Sequence, residues 1–122
     1  MLRLLLAEDD DELRDTVARE LSRAGYAVET ARDGLEALRF IDRGAFDVAV
    51  LDVRMPECTG LEVLSRIRQR GSRMPCVLVS GFADRMDGMA ERYGALVLSK
   101  PFPMRALCAA LREVTGEARR SP

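Results

Sequence analysis

The stretch Asp47-Val48-Ala49-Val50-Leu51-Asp52 decides the fold. A short apolar run without alternation, closed at each end by an acid, fits a strand covered on both faces, as inner strands of parallel sheets are. The same signature recurs at Leu4-Leu5-Leu6-Ala7, Cys76-Val77-Leu78-Val79 and Ala95-Leu96-Val97-Leu98. A further segment, Tyr26 to Thr30, alternates and reads as an edge strand. Between these runs lie apolar residues at helical spacing: Leu13, Val17 and Leu21; Ala37, Leu38 and Ile41; Leu61, Leu64 and Ile67; Leu107, Leu111 and Val114. Gly25, Gly44, Gly71 and Gly94 stand where helix terminators belong. The stretch Asp84-Arg85-Met86-Asp87-Gly88-Met89 predicts the weakest helix, short or mobile, with Gly88 in its middle.

Strict alternation of strand and helix predicts the α/β class. The expected architecture is a flavodoxin-like, doubly wound, five-stranded parallel sheet in the order 2-1-3-4-5 with five helices. Residues 1–116 form the predicted domain, and 117–122, which lack an apolar anchor, read as a C-terminal tail or linker stub.

Composition narrows the chemistry. The chain has 122 residues, enough for one core, with 48% hydrophobic and 32% charged residues. No apolar run reaches the roughly 18 residues of a membrane span, and acids at Glu8 and Asp9 close the first apolar run too early for a signal peptide. A cytoplasmic setting without membrane contact is the expectation. The 19 basic residues are matched by 20 acidic ones, which leaves no basic excess for direct nucleic-acid binding. The absence of histidine excludes Ser-His-Asp triads and most zinc enzymes. Cys58, Cys76 and Cys108 match neither a zinc pattern nor a disulfide framework. Every basic residue except Lys100 is an arginine, so the one lysine marks a site that calls for a compact point charge.

In doubly wound sheets, ligands bind beyond the carboxyl ends of the strands. The first strand ends in Glu8-Asp9-Asp10-Asp11-Glu12. Asp10 or Asp11 can cap the following helix, and acids favour a first turn. Glu8 and Asp9 are left unexplained by capping and repel one another. The third strand ends in Asp52, which the expected strand order brings beside them. Oxygen ligands without histidine favour magnesium over zinc. The fourth strand ends in Ser80-Gly81 and the fifth in Lys100-Pro101. A hydroxyl, a glycine N–H and an ammonium facing clustered carboxylates suit phosphoryl transfer, with a carboxylate as acceptor.

Over most of its length, from Leu4 to about Val114, the chain resembles the receiver domains of bacterial two-component response regulators. The resemblance rests on Glu8-Asp9, Leu51-Asp52-Val53-Arg54-Met55-Pro56, Gly60, Ser80-Gly81, Gly94-Ala95 and Lys100-Pro101-Phe102. It implies that Asp52 takes a phosphoryl group from a phosphohistidine of a sensor histidine kinase or phosphotransfer protein, with Mg2+ as cofactor. Asp9, Asp52 and the Arg54 carbonyl would ligate the metal, with Glu8 acting through water. Lys100 would pair with the phosphoryl group, Ser80 would move to bond it, and the N–H groups of Arg54 and Gly81 would hold its other oxygens. It further implies a cis Lys100–Pro101 bond, an output domain attached or separate, and a monomer or weak dimer. Such a domain phosphorylates and dephosphorylates itself rather than turning over a free substrate, and Arg54 and Phe82 flank the phosphate where they would tune its lifetime.

Two departures from the family pattern stand out. Receivers usually carry Tyr or Phe three residues before the lysine, turning inward when the hydroxyl moves; here that residue is Val97, with Tyr93 and Phe82 as substitutes to consider. Cys58-Thr59 precedes Gly60 where a hydrophobic residue and often an acid are usual, a change expected to affect loop packing. Val97 keeps a second reading open, a phosphorylation-independent interaction module of receiver fold. A haloacid-dehalogenase-type phosphatase is excluded, because it needs a second Asp where Arg54 stands.

Overall fold

The computed structural model describes residues 1–81 and 88–117. Strands β1 (Arg3–Ala7), β2 (Ala27–Ala31), β3 (Val48–Asp52), β4 (Cys76–Ser80) and β5 (Leu96–Ser99) alternate with helices. The helices are α1 (Asp11–Arg23), α2 (Gly34–Arg43), α3 (Gly60–Gln69), α4 (Met89–Arg92) and α5 (Met104–Thr115). All strand pairs are parallel, in the order β2-β1-β3-β4-β5. Phe82, the first residues of the weakest expected helix and the tail beyond Glu117 lie outside the described residues.

Each apolar strand serves two cores, because successive side chains leave the sheet on opposite faces. Leu5, Ala49, Leu51, Cys76 and Leu78 face α2, α3 and α4, where they meet Leu38, Leu64, Ile67 and Ala90. Leu4, Leu6, Val48, Val50, Val77 and Val79 face α1 and α5, against Val17, Leu21, Leu107 and Leu111. β3 and β4 are buried throughout, which accounts for their unbroken apolar runs. The reading of Ala95–Leu98 as covered on both faces needs correction: β5 is only half-buried, because it forms the second edge of the sheet. All three cysteines are free, and burial pushes the Cys76 thiol up to about 11.

Local chemistry fixes the helix starts. Asp10 caps α1 by accepting the Leu13 N–H at 3.0 Å, and Asp33 caps α2 through the Glu36 N–H at 2.8 Å. Thr59 and Glu62 form a reciprocal capping box at α3, so the unusual Thr59 has a clear structural use. All four expected terminators end their helices: Gly25, Gly71 and Gly94 do so with left-handed backbones, whereas Gly44 caps α2 in an extended conformation (φ −133°) that any residue adopts. Gly88 does not lie within a helix: it opens the four-residue α4 in a left-handed conformation (φ 78°).

Two glycines act by absence of a side chain. A methyl on Gly60 would overlap the Asp52 carbonyl, and one on Gly34 would overlap the Cys58 carbonyl. The loop from β3 to α3 is thus pressed between its own strand and the start of α2. In an exposed helix, Gly→Ala gains about 1 kcal/mol from propensity. Here both Gly34→Ala and Gly60→Ala are expected to lose about 1–3 kcal/mol through overpacking, read as a lower midpoint in urea unfolding. A gain in either variant would show that the loop yields.

Candidate functional site

The two-residue period that builds the cores also aims the polar groups. Counting on from Leu4 and Leu6 leads to Glu8, from Val48 and Val50 to Asp52, and from Leu96 and Leu98 to Lys100. All three therefore continue the α1–α5 face, Asp52 as the last residue of β3 and Glu8 and Lys100 directly after β1 and β5. The adjacency of β1 and β3 brings the carboxylates together: oxygens of Glu8, Asp9 and Asp52 lie within 4.8 Å of one another. Glu8 and Asp52 are buried, whereas Asp9 is exposed.

Lys100 ties the cluster across the sheet. Its Nζ donates to Glu8 Oε1 at 3.0 Å and to Asp52 Oδ2 at 3.2 Å. The other Asp52 oxygen, Oδ1, accepts the Arg54 N–H at 3.3 Å, and Glu8 Oε2 accepts the Asp10 N–H at 3.1 Å. Ser80 is buried at the end of β4, level with Ser99, and its carbonyl accepts the Lys100 N–H at 2.8 Å. Gly81 follows directly, half-buried. The Lys100–Pro101 peptide is cis.

Electrostatics follow from crowding. Burial, reinforced by Asp52 and only partly opposed by the Asp10 N–H and Lys100, raises the Glu8 carboxyl above its ordinary 4.5. Desolvation and then Glu8 raise Asp9 above 3.8. Burial alone would lower the Lys100 ammonium, but Glu8 and Asp52 outweigh it and hold the group above 10.5. The Lys100 ammonium is hydrogen-bonded to two of the three carboxylates, Glu8 and Asp52. The donor set is all oxygen, so a hard divalent cation such as Mg2+ fits it.

The aromatic substitutes divide. Tyr93 lies before β5, at the end of the strand away from Lys100; its hydroxyl is 3.3 Å from Ser65 Oγ, and its carbonyl accepts Arg68 Nε at 2.7 Å. It braces α3 against α4 rather than approaching Ser80. Phe82 is outside the described residues. Val97 itself is half-buried, level with Leu78 and packed on the α2–α4 core.

One contact has no counterpart in the sequence reading. Arg14 of α1 donates from Nη1 to the Glu8 carbonyl at 3.0 Å and from Nη2 to Asp11 at 2.6 Å. By sequence it is a surface partner for Asp11, three residues away, and only the turn between β1 and α1 brings it against Glu8.

Comparison with known proteins gives a consistent picture. The family model described as response regulator receiver domain matches residues 4–112. The transcriptional regulatory protein TctD of Salmonella typhimurium is 41% identical over 91% of this chain, and the response regulator MprA of Mycobacterium leprae is 38% identical over 91%. The match covers 50% of each of those proteins, so the chain spans about half their length. Among solved structures, a CheY-like receiver domain protein of Methanospirillum hungatei superposes with a TM-score of 0.89 at 27% identity, covering 98% of each chain. The response regulator TrrA of Thermotoga maritima, solved with Mg2+ and BeF, gives 0.84 at 29% identity, covering 93% of this chain and 99% of its own.

The raised carboxyls set a pH dependence. Above 3.8 and 4.5 the unfolded chain has released protons that folded Asp9 and Glu8 still hold, so these groups weaken the cation-free fold as pH rises through that window. The Lys100 contribution has the opposite place on the scale: it is complete below 10.5 and lost above it. Mg2+ at tenfold its Kd is expected to stabilise the protein by about 1.4 kcal/mol at neutral pH. Because protons compete for the same oxygens, the gain should shrink as the pH is lowered toward 4.5. Thermal unfolding at several pH values, with and without MgCl2, checks this; a gain that grows on acidification would contradict it.

Proposed function

The chain belongs to the receiver domains of two-component response regulators, and from that premise we propose that Asp52 is its phosphoacceptor. The observation that carries the reading is the Lys100 ammonium shared between Glu8 and Asp52 at the carboxyl end of the sheet. An Asp52 carboxylate oxygen attacks the phosphorus of a phosphohistidine. The P–N bond breaks, and the departing imidazole keeps the electron pair and takes up a proton. Lys100 neutralises charge on the transferring group, Ser80 donates its hydroxyl, and the N–H groups of Arg54 and Gly81 cradle the remaining oxygens. Glu8, Asp9, Asp52 and the Arg54 carbonyl are the residues that would hold Mg2+, which when bound neutralises phosphoryl oxygens.

The phosphoryl donor is proposed to be a sensor histidine kinase or a phosphotransfer protein, and the controlled partner an output domain in the same or another chain. The matched relatives, a response regulator and a transcriptional regulatory protein about twice the matched length, support that reading. No helix among the described residues is long and apolar enough to cross a membrane, in keeping with a proposed cytoplasmic site of action. Residues 1–116 are proposed as the functional domain; α5 ends at Thr115, and Gly116 leaves it in a left-handed conformation.

A second reading is favoured by one feature, Val97 where receivers usually place an aromatic ring. In that reading the domain binds its partner equally with or without phosphate. Intact-mass spectrometry after incubation with acetyl phosphate decides between them. The phosphoacceptor reading expects one added phosphoryl group, dependent on Mg2+ and absent in Asp52→Ala. Unchanged mass in the wild type under every condition would favour the constitutive module. Lys100→Ala is expected to take the label yet fail to shift the β4 and β5 amide signals in NMR spectra, since the group that senses the phosphoryl charge is gone.

A further inference from the structure

We propose that Arg14 is a positioning residue for the cation site, acting through the peptide that joins Glu8 to Asp9; this rests on the reading of Glu8, Asp9 and Asp52 as a Mg2+ site. The Arg14 side chain is only 14% exposed, although it lies in the first turns of α1 beside five consecutive acids. An ordinary surface pair looks different: Arg23, paired with Glu20 on the same helix, is 76% exposed. The Arg14 fork spans two acceptors of different kinds, the Glu8 carbonyl and the Asp11 carboxylate.

That carbonyl completes the fixing of Glu8. Its N–H donates to the Ala31 carbonyl at 3.0 Å, and its carboxylate takes Lys100 and the Asp10 N–H. The carbonyl is the last polar group of the residue, and Arg14 holds it. Rotation of this peptide would swing Asp9, which is exposed and so gains no fixed position from packing. Asp9 must nevertheless reach the other two carboxylates to share a cation. Arginine suits the task because its planar fork bridges two acceptors, which a lysine ammonium does as a mobile point charge.

Positioning and plain charge predict opposite outcomes. A positive group beside a cation site repels the cation, so if Arg14 acted only through its field, removing it would tighten Mg2+ binding. If it orients the Glu8–Asp9 peptide, removing it weakens binding. Partners that hold metal ligands in place are worth about tenfold or more in affinity. Isothermal titration calorimetry with MgCl2 on the wild type, Arg14→Gln, Arg14→Lys and the distant control Arg23→Gln reads the sign. The expected result is about tenfold weaker binding for Arg14→Gln, a smaller loss for Arg14→Lys, and wild-type affinity for Arg23→Gln. Equal or tighter binding by Arg14→Gln overturns the proposal. Should circular dichroism show that variant unfolded, Arg14→Lys binding as tightly as wild type does the same. A wild type that binds no Mg2+ overturns the parent reading, and this inference with it, in a way the variants alone do not mimic.

Discussion

Carboxylate oxygens of Glu8, Asp9 and Asp52 stand within 4.8 Å of one another, and the Lys100 ammonium opposes two of those residues. Two like charges at that separation repel by about 3.5 kcal/mol at an effective dielectric of 20. Such a cluster forms only where the backbone leaves its members no alternative. Here the constraint is the parallel pairing of β1 with β3, whose buried carboxyl ends finish side by side. The apolar runs that precede the acids lock that register, since a slip of one residue would carry every side chain to the other face. The rest of the molecule serves to keep those strand ends adjacent.

The same period explains the reach of Lys100. It lies beyond an edge strand, two positions from β3 and three from β1 in the sheet, yet it contacts Asp52 and Glu8 at the ends of those strands because its side chain emerges on their face. A compact ammonium on a long stem can meet two carboxylates from that distance without the planar match an arginine demands. In a chain that otherwise uses arginine for every basic residue, this geometry gives the solitary lysine a reason. The loop after Asp52 is held as closely: Gly60 lets it return against the Asp52 backbone, and Gly34 lets it lie on α2. Position 52 is therefore fixed by its own strand and by the loop that follows it.

The edge at β5 is less constrained. Leu96 to Leu98 are half-buried and Ser99 is exposed, Val97 packs on the core, and Tyr93 is committed to Ser65 and Arg68 at the opposite end of the strand. The α3 contacts hold Tyr93 away from Ser80. The acidic run after β1 divides by function in a similar way. Asp10 caps the helix, Asp11 pairs with Arg14, and Glu8 and Asp9 join the cluster.

The class of fold, the strand order and the identity of the clustered acids are legible in the order of residues alone. Unbroken apolar runs and helical spacing are local signals, and strict alternation with right-handed crossovers leaves few topologies. The sequence also marked Lys100, through composition, and the acids at the strand ends, through their place after buried runs. Packing in three dimensions was needed to show which acid of the run caps the helix, how far β5 is left uncovered, that Gly88 begins α4 rather than interrupting it, and that Arg14 turns from the surface to hold Glu8. These outcomes depend on directions in space, such as the angle of a turn or the neighbour across a sheet. A linear pattern fixes what a residue is and which face it takes, but the partner it meets is set by how the elements pack.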